Sequence, residues 1–251
     1  MSPGVRYASV PYLNAKPLLE GLEREVGPVR LEVPAVLTRL LAEGEIDVAL
    51  APIVASFELP RLTLVEAGAI CTHGAVGSVL LFAKGRPQEA RAVALDTSSR
   101  TSAALTRVLF RFLWNAQPRF VARHPDPDLR GLAEDAAFLI GDPALVARWA
   151  GPPPVDLGAV WREWTGLPFV FAVWHARTEA ASAEAEGPLR RAVARGSTDL
   201  DLLAERGARD LHLDAARMRH YMHDCLDFEF GARERAGMER FRELWTAMSG
   251  G

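Results

Sequence analysis

The sequence has few of the features that mark secreted, membrane or nucleic-acid-binding proteins. Its 251 residues include two cysteines, Cys71 and Cys225, which are too few for a disulfide framework. No apolar run approaches the roughly 18 residues of a membrane span. The 29 Lys and Arg residues nearly balance the 32 Asp and Glu residues, which disfavours generic binding to nucleic acid or an anionic membrane. The amino terminus lacks a basic stretch followed by a long apolar run, so we expect a cytoplasmic protein.

Signatures of several common enzyme chemistries are also missing. No P-loop and no G-x-S-x-G motif occurs, and the glycines of GAVGS (74–78) lack the order of a dinucleotide fingerprint. His220 and His223 lie at helical neighbour spacing beside Asp224, but no third ligand has a recognisable spacing. The sequence therefore predicts no metal site and requires no bound cofactor.

Short apolar runs alternate with helical patterns over the first two thirds of the chain, which is typical of parallel strands joined by crossover helices. The candidate strands of a first unit are 5–10, 29–34, 46–53 and 78–84. After the turn-like GRPQEAR (85–91), further strands are predicted at 92–96, 118–124, 136–142 and 168–177. From about residue 180 the pattern is helical to the end.

This order predicts an α/β fold with two lobes and a central cleft between them. We expect the strand at 168–177 to return the chain to the first unit, so that 1–84 and 178–251 form one lobe and 85–177 the other. Connecting segments are then expected near 83–87 and 169–175. The alternative is a third domain made of the closing helices, for which about 70 residues are few. A cleft between lobes suits a small ligand.

Hydroxyl and amide side chains follow two of the predicted strands, at the edge where open α/β sheets bind ligands. Asn14 follows the first strand, and a group of hydroxyls follows the strand that ends at Asp96: Ser98, Ser99, Thr101 and Ser102. A helix begins at that group, so its hydroxyls and free N–H groups could form a cradle for a carboxylate. The alternative is that Ser98 or Ser99 only caps the helix. In GDPAL (141–145), Asp142 is predicted to cap a helix with Pro143 at its first position.

Six sequence blocks together resemble one family, the chorismate dehydratases of the futalosine route to menaquinone. The resemblance covers roughly residues 5–178. Its blocks are SVPYLNAKPL (9–18), IDVALAPI (46–53), SVLLFAK (78–84), LDTSSRTSAAL (95–105), FLIGDPAL (138–145) and DLGAVWREWTGLPFVFAVW, which ends at Trp174. The resemblance implies a fold like that of the type II periplasmic binding proteins. It also implies a carbon–oxygen lyase that converts chorismate into 3-[(1-carboxyvinyl)oxy]benzoate and water.

The resemblance also implies roles for particular residues. Asn14 and Ser78 match the positions associated with activity. The family's ligand-binding turn matches Thr97, Ser98, Ser99, Thr101 and Ser102. The implied partner is chorismate, a small dicarboxylate, and the reaction needs no metal or redox cofactor because aromatisation of the ring drives it. Removal of the ring proton still needs a base. Two candidates stay open, the substrate's own side-chain carboxylate and a carboxylate of the protein.

Other functions remain alternatives. A related enzyme of the same route, which acts on cyclic dehypoxanthinyl futalosine, shares the fold, although the YLNA and TGLPFVFA blocks favour the dehydratase. A cytoplasmic protein that binds a small carboxylate without catalysis is the competing class. A transferase that uses His220 and His223 is a third option.

Overall fold

Two five-stranded sheets organise the chain in the computed structural model, which describes residues 4–249. The first sheet has the order β2–β1–β3–β10–β4 and contains β1 (Tyr7–Ser9), β2 (Val29–Leu31), β3 (Val48–Pro52), β4 (Thr63–Thr72) and β10 (Phe169–Ala176). The second has the order β7–β6–β8–β5–β9 and contains β5 (Val79–Ala83), β6 (Ala92–Asp96), β7 (Arg119–Arg123), β8 (Ala136–Ile140) and β9 (Val155–Asp156). Each sheet is mixed: four strands run in one direction, and one strand, β10 or β5, runs antiparallel between two of them.

Helices cover the sheets and fill the carboxyl-terminal part of the chain. They are α1 (Glu23–Val26), α2 (Pro34–Glu43), α3 (Val54–Glu58), α4 (Arg100–Val108), α5 (Gly141–Leu145), α6 (Leu157–Thr165), α7 (Glu179–Thr198), α8 (Leu200–Leu211), α9 (Ala215–His220) and α10 (Ala232–Ser249). Two 3₁₀ segments, Leu13–Leu18 and Pro87–Glu89, and two π-helical segments, Leu109–Leu113 and Tyr221–Cys225, complete the set. Within the described residues, no helix combines the length and the apolar character needed to cross a bilayer.

Two strands lie in a different sheet from the one predicted. β5 falls in the predicted first-lobe range 1–84 but pairs with β8 and β9 of the second sheet. β10 falls in the predicted second-lobe range 85–177 but lies between β3 and β4 of the first sheet. The chain therefore crosses between the sheets at 73–78 and 157–168, earlier than predicted in both cases. An apolar run predicts a strand but not its partner, which explains the error. Residues 1–3 and 250–251 of the predicted first lobe lie outside the described residues.

The long strand β4 was not predicted from the sequence. Its apolar pattern is interrupted by Glu66 and Gly68. The structure accommodates this interruption as an irregularity in the pairing with β10, because the register passes from Ala69 opposite Val173 to Val65 opposite Trp174. The inserted residues form a bulge, which a two-residue periodicity does not reveal.

The carboxyl-terminal helices hold the segment that carries Asn14 against the first sheet. Helix α7 approaches the 3₁₀ segment Leu13–Leu18 so closely that a Cβ on Gly196 would lie 2.0 Å from the carbonyl oxygen of Pro17. Glycine at this position lets the helix pack directly on the backbone of the segment. Helix α10 packs on β10 from another direction and buries Phe241 against Trp161 and Phe169, with ring centroids 5.9 and 4.9 Å away.

The buried histidine on β10 predicts a dependence of stability on pH. His175 is fully buried, its Nδ1 lies 2.9 Å from the carbonyl oxygen of Val173, and burial lowers the pKa of the imidazole to about 4 from 6.5. Between these values the unfolded chain binds a proton that the folded chain does not. The contribution to stability is therefore complete above the unfolded pKa and is lost as the pH falls towards the folded one. We expect the free energy of unfolding in urea to fall by roughly 2 kcal/mol from pH 7 to pH 5.

The control for this prediction is His175→Asn, whose amide can occupy the position of Nδ1 without titrating. The difference in stability between the wild type and this variant should shrink as the pH falls. A difference that stays constant from pH 7 to pH 5 would contradict the assignment to His175.

Candidate functional site

A cavity lies between the two sheets, and its space, counted together with its opening to solvent, is about 490 Å³. Its wall combines residues of both: Val10, Tyr12, Asn14, Pro34, Pro52, Ile70, Phe171 and Ala172 come from the first sheet and its connections, and Val79, Ser99, Thr101, Ser102, Ile140 and Gly141 from the second, with Val76 on the crossing between them. The cavity occupies the cleft predicted between the lobes.

The amino terminus of α4 forms the polar side of this cavity. Ser99 is the N-cap, and its hydroxyl accepts a hydrogen bond from the N–H of Ser102 at 3.1 Å. Ser99, Thr101 and Ser102 all line the cavity, so a capping role and a ligand-binding position coincide there. The Thr101 side chain is buried, and its Oγ1 has no hydrogen-bond partner among the described residues. A helix amino terminus with an unused hydroxyl favours an anionic group of a ligand.

Asn14 reaches the cavity from the opposite side. It belongs to the 3₁₀ segment that follows β1, and its buried Oδ1 likewise lacks a hydrogen-bond partner within residues 4–249. The segment is held across the cleft, because Oδ1 of Asp142 accepts the N–H of Leu13 at 3.1 Å. The prediction that Asp142 caps its own helix is therefore wrong. Gly141 precedes it as the first helical residue, and the carboxylate points to the other sheet.

Gly141 and Tyr12 close the cavity at the same place. Gly141 has a φ of +57°, and a Cβ there would lie 3.2 Å from Cγ of the Tyr12 ring. Glycine is required both for the left-handed conformation and for the close approach of the ring. Burial raises the pKa of Tyr12, so the phenol stays protonated at neutral pH.

Three of the predicted site residues do not line the cavity. Thr97 is exposed and its N–H donates to the carbonyl oxygen of Arg123. The Ser98 hydroxyl donates to Oδ1 of Asp96 at 2.5 Å, and burial raises the pKa of that carboxyl. Ser78 is fully buried between Val76 and Val79 of the wall, and its Oγ accepts a hydrogen bond from the hydroxyl of Tyr221 at 2.8 Å.

The wall of the cavity contains no ionisable acid or base apart from the Tyr12 phenol, among the described lining residues. Three charged or titratable side chains from the sequence motifs are engaged elsewhere. Arg100, the first residue of α4, forms an ion pair with Glu58 of α3. His220 and His223 pair with different carboxylates, those of Asp224 and Asp201. The arrangement can therefore orient and polarise a ligand by neutral donors and acceptors.

Sequence reasoning missed Tyr12, Gly141 and Tyr221. Tyr12 and Gly141 each follow a strand of a parallel set. Open α/β sheets bind ligands at the carboxyl ends of such strands, and this reasoning, which predicts Asn14, applies to both positions. Tyr221 lies in a helical region more than a hundred residues from the strands it supports, and no local pattern indicates its contact with Ser78.

Comparisons with known proteins agree on one family. A family profile described as menaquinone biosynthesis matches residues 5–247. The chain is 34% identical over 253 residues to the chorismate dehydratase of Thermus thermophilus, covering 92% of each protein. It is 26% identical over 242 residues to the chorismate dehydratase of Campylobacter jejuni, covering 95% of this chain and 92% of that protein.

Solved structures confirm the predicted fold. A crystal structure of a protein from Archaeoglobus fulgidus superposes with a TM-score of 0.81 at 17% identity, covering 99% of this chain and 98% of that one. The periplasmic aliphatic sulphonate binding protein of Escherichia coli superposes with a TM-score of 0.65 at 17% identity, covering 99% and 88%. The two-lobed fold is therefore that of the periplasmic binding proteins.

The contact between Gly141 and Tyr12 predicts a loss of stability on substitution. Gly141→Ala should cost about 1–2 kcal/mol for the left-handed backbone and more for displacement of the Tyr12 ring. Gly166→Ala is the matched control, because Gly166 has a φ of +72° but a Cβ there would meet no atom within 4 Å. We expect urea unfolding to show a larger loss for Gly141→Ala. Equal losses in the two variants would contradict the role given to the Tyr12 contact.

Proposed function

The chain belongs to the menaquinone-biosynthesis family, and we propose that it is a hydro-lyase that converts chorismate into 3-[(1-carboxyvinyl)oxy]benzoate and water. One observation carries the proposal beyond family membership. Asn14 and Thr101 line one cavity from opposite sheets, and each has a buried polar atom, Oδ1 of Asn14 and Oγ1 of Thr101, without a hydrogen-bond partner among the described residues. Buried polar atoms are normally paired, so both indicate a polar ligand between the sheets.

The cavity suits a carbocyclic ring that bears carboxylates. Phe171, Ile70, Val79 and Ile140 offer apolar surface to the ring. The amino terminus of α4 offers hydroxyls and N–H groups to a carboxylate. A neutral wall holds the anion through dipoles, and this avoids burying a protein charge that would stay unpaired in the empty site.

The reaction breaks two bonds of the substrate ring. The C–H bond at the carbon that carries the ether breaks, and so does the C–OH bond at the adjacent carbon. The electron pair of the C–H bond becomes the new ring double bond, and the proton and the hydroxyl leave as water. The ring becomes aromatic, so the protein mainly has to fix the conformation and stabilise the departing oxygen.

We assign the base to the side-chain carboxylate of the substrate itself. The described wall residues include no carboxylate or imidazole that could take the ring proton. Asp142, a carboxylate that contacts the Asn14 segment, already accepts the N–H of Leu13. The substrate carboxylate takes the proton and passes it to the leaving hydroxyl, so the product leaves with this carboxylate ionised and the protein keeps no proton.

Asn14 is the residue that we place in contact with the ring hydroxyl. Its amide lines the cavity and its Oδ1 is free to accept a hydrogen bond. Ser78 lies behind the wall and acts on the substrate through its neighbours. The other predicted residues also fall into a group that contacts the ligand and a group that does not. Ser99, Thr101 and Ser102 line the cavity and contact the ligand, whereas Ser98 supports the turn through its hydrogen bond to Asp96.

Turnover of chorismate by the purified protein tests the proposal directly. We expect loss of chorismate and appearance of the aromatic product by absorbance and mass, without added metal or nucleotide. Asn14→Ala and Ser78→Ala should each lower kcat by about tenfold or more while KM changes less, because each removes a hydrogen bond at or behind the reacting centre.

Ser56→Ala is the control, since the Ser56 hydroxyl donates to the carbonyl oxygen of Ile53 away from the cavity. It should keep wild-type turnover. A wild-type protein that binds chorismate and leaves it intact would identify a carboxylate-binding protein, and turnover of cyclic dehypoxanthinyl futalosine instead would identify the related enzyme.

Thr101→Val separates ligand binding from stability. The variant removes a buried hydroxyl that has no partner in the described residues, so the free energy of unfolding should stay equal or rise. The KM for chorismate should rise by about tenfold if that hydroxyl binds the substrate. Steady-state kinetics with chorismate measure the KM, isothermal titration with the product measures its affinity, and urea unfolding measures the stability.

The matched control lies on the same helix. Thr106 is also buried, and its hydroxyl donates to the carbonyl oxygen of Ser102 at 2.8 Å. Thr106→Val should lose about 1 kcal/mol of stability and leave KM unchanged. A Thr101→Val variant that loses stability but binds product as tightly as the wild type would refute the assignment.

A further inference from the structure

The carboxyl-terminal helices send one polar side chain to the back of the cavity. Tyr221 begins the π-helical segment that follows α9 and is 2% exposed. Its hydroxyl donates to Oγ of Ser78 at 2.8 Å. Within residues 4–249, this is the one hydrogen bond found for the Ser78 hydroxyl. The carboxyl-terminal helices thus contact Ser78, a residue of the proposed site, through the buried hydroxyl of Tyr221.

The backbone around Ser78 is already fixed on both sides. The N–H of Gly77 donates to Oδ2 of Asp156 at 2.7 Å, and the carbonyl oxygen of Ser78 accepts the N–H of Gly141 at 2.8 Å. The ring of Tyr221 packs over Gly77, where a Cβ would lie 3.4 Å from its Cδ2. The remaining freedom at Ser78 is rotation of its hydroxyl, and the Tyr221 hydroxyl restricts that rotation.

We propose that Tyr221 is a positioning residue that holds the Ser78 hydroxyl in one orientation behind the cavity wall. This inference rests on the proposed function, in which Ser78 acts on the substrate through its neighbours. Because the Tyr221 hydroxyl donates its proton to Oγ of Ser78, the Ser78 hydroxyl proton is turned away from Tyr221.

The electrostatic environment of Tyr221 agrees with this role. Burial raises the pKa of the phenol far above its ordinary value, so it stays a donor at every pH at which the fold is stable. The hydrogen bond with Ser78 acts against that shift. The two side chains come from distant parts of the chain and form a neutral pair behind the cavity wall.

Removal of the Tyr221 hydroxyl tests the proposal. Tyr221→Phe keeps the ring that packs over Gly77, and we expect kcat for chorismate to fall by about tenfold while KM stays within about twofold. Tyr7→Phe is the matched control, because Tyr7 is a buried tyrosine on β1 outside the cavity wall. It should keep wild-type kcat. Circular dichroism and urea unfolding establish that both variants are folded.

A double-mutant cycle separates positioning from a general effect on packing. If Tyr221 acts through Ser78, then Ser78→Ala in the Tyr221→Phe background should lower kcat by less than about threefold, against about tenfold or more in the wild type. A merely structural role for Tyr221 would lower stability and leave the two effects on kcat multiplicative.

The outcomes distinguish the two levels of the hypothesis. Wild-type turnover with an unchanged kcat in Tyr221→Phe, or multiplicative effects in the cycle, would overturn the role of Tyr221 and leave the proposed function standing. A wild-type protein that leaves chorismate unchanged would overturn the proposed function and the role of Tyr221 with it.

Discussion

One carboxylate ties together the two segments by which the chain passes between the sheets. Asp156 lies at the end of β9, and its Oδ1 accepts the N–H of Val76 on the first crossing and the N–H of Ala159 at the start of the second. Its Oδ2 accepts the N–H of Gly77. Three backbone N–H groups on one carboxylate fix the crossings relative to each other. The relative position of the sheets, and so the shape of the cavity, depends on this contact.

The site that results is notable for how little charge it contains. Hydroxyls, an amide and a helix amino terminus face a ligand that the proposed function makes doubly anionic. An arginine in the wall would bind that anion more strongly, but in the empty site it would be a buried charge without a partner. Here the nearest arginine of α4, Arg100, is held by Glu58. Neutral donors suffice when the chemical driving force belongs to the substrate, because the protein then supplies orientation rather than an acid or a base of its own.

The parts of the fold that the sequence predicts are those that depend on local pattern. The strand at 92–96 is found as predicted, and the strand predicted at 136–142 extends from 136 to 140. Asn14 follows β1 of the first sheet, and three of the hydroxyls after Asp96 follow β6 of the second, so both lie at the carboxyl end of a parallel strand. The two ends meet at one cavity because the sheets face each other across it. The partners of β5 and β10 could not be predicted, since an antiparallel strand looks the same in sequence as a parallel one. Contacts such as Tyr221 with Ser78 and Asp142 with Leu13 join residues more than a hundred positions apart, and only the tertiary fold specifies them.

The hydrogen bond from Leu13 to Asp142 links the reactive geometry to the conformation of the whole molecule. The donor precedes Asn14 on the first sheet's side of the cavity, and the acceptor belongs to the second. Any movement that parts the sheets removes the acceptor that orders the turn carrying Asn14. In a molecule opened in this way the Asn14 amide would be held loosely. Under the proposed function, entry of the substrate and assembly of the reacting centre would then be one event, and release of the product would dismantle the same centre.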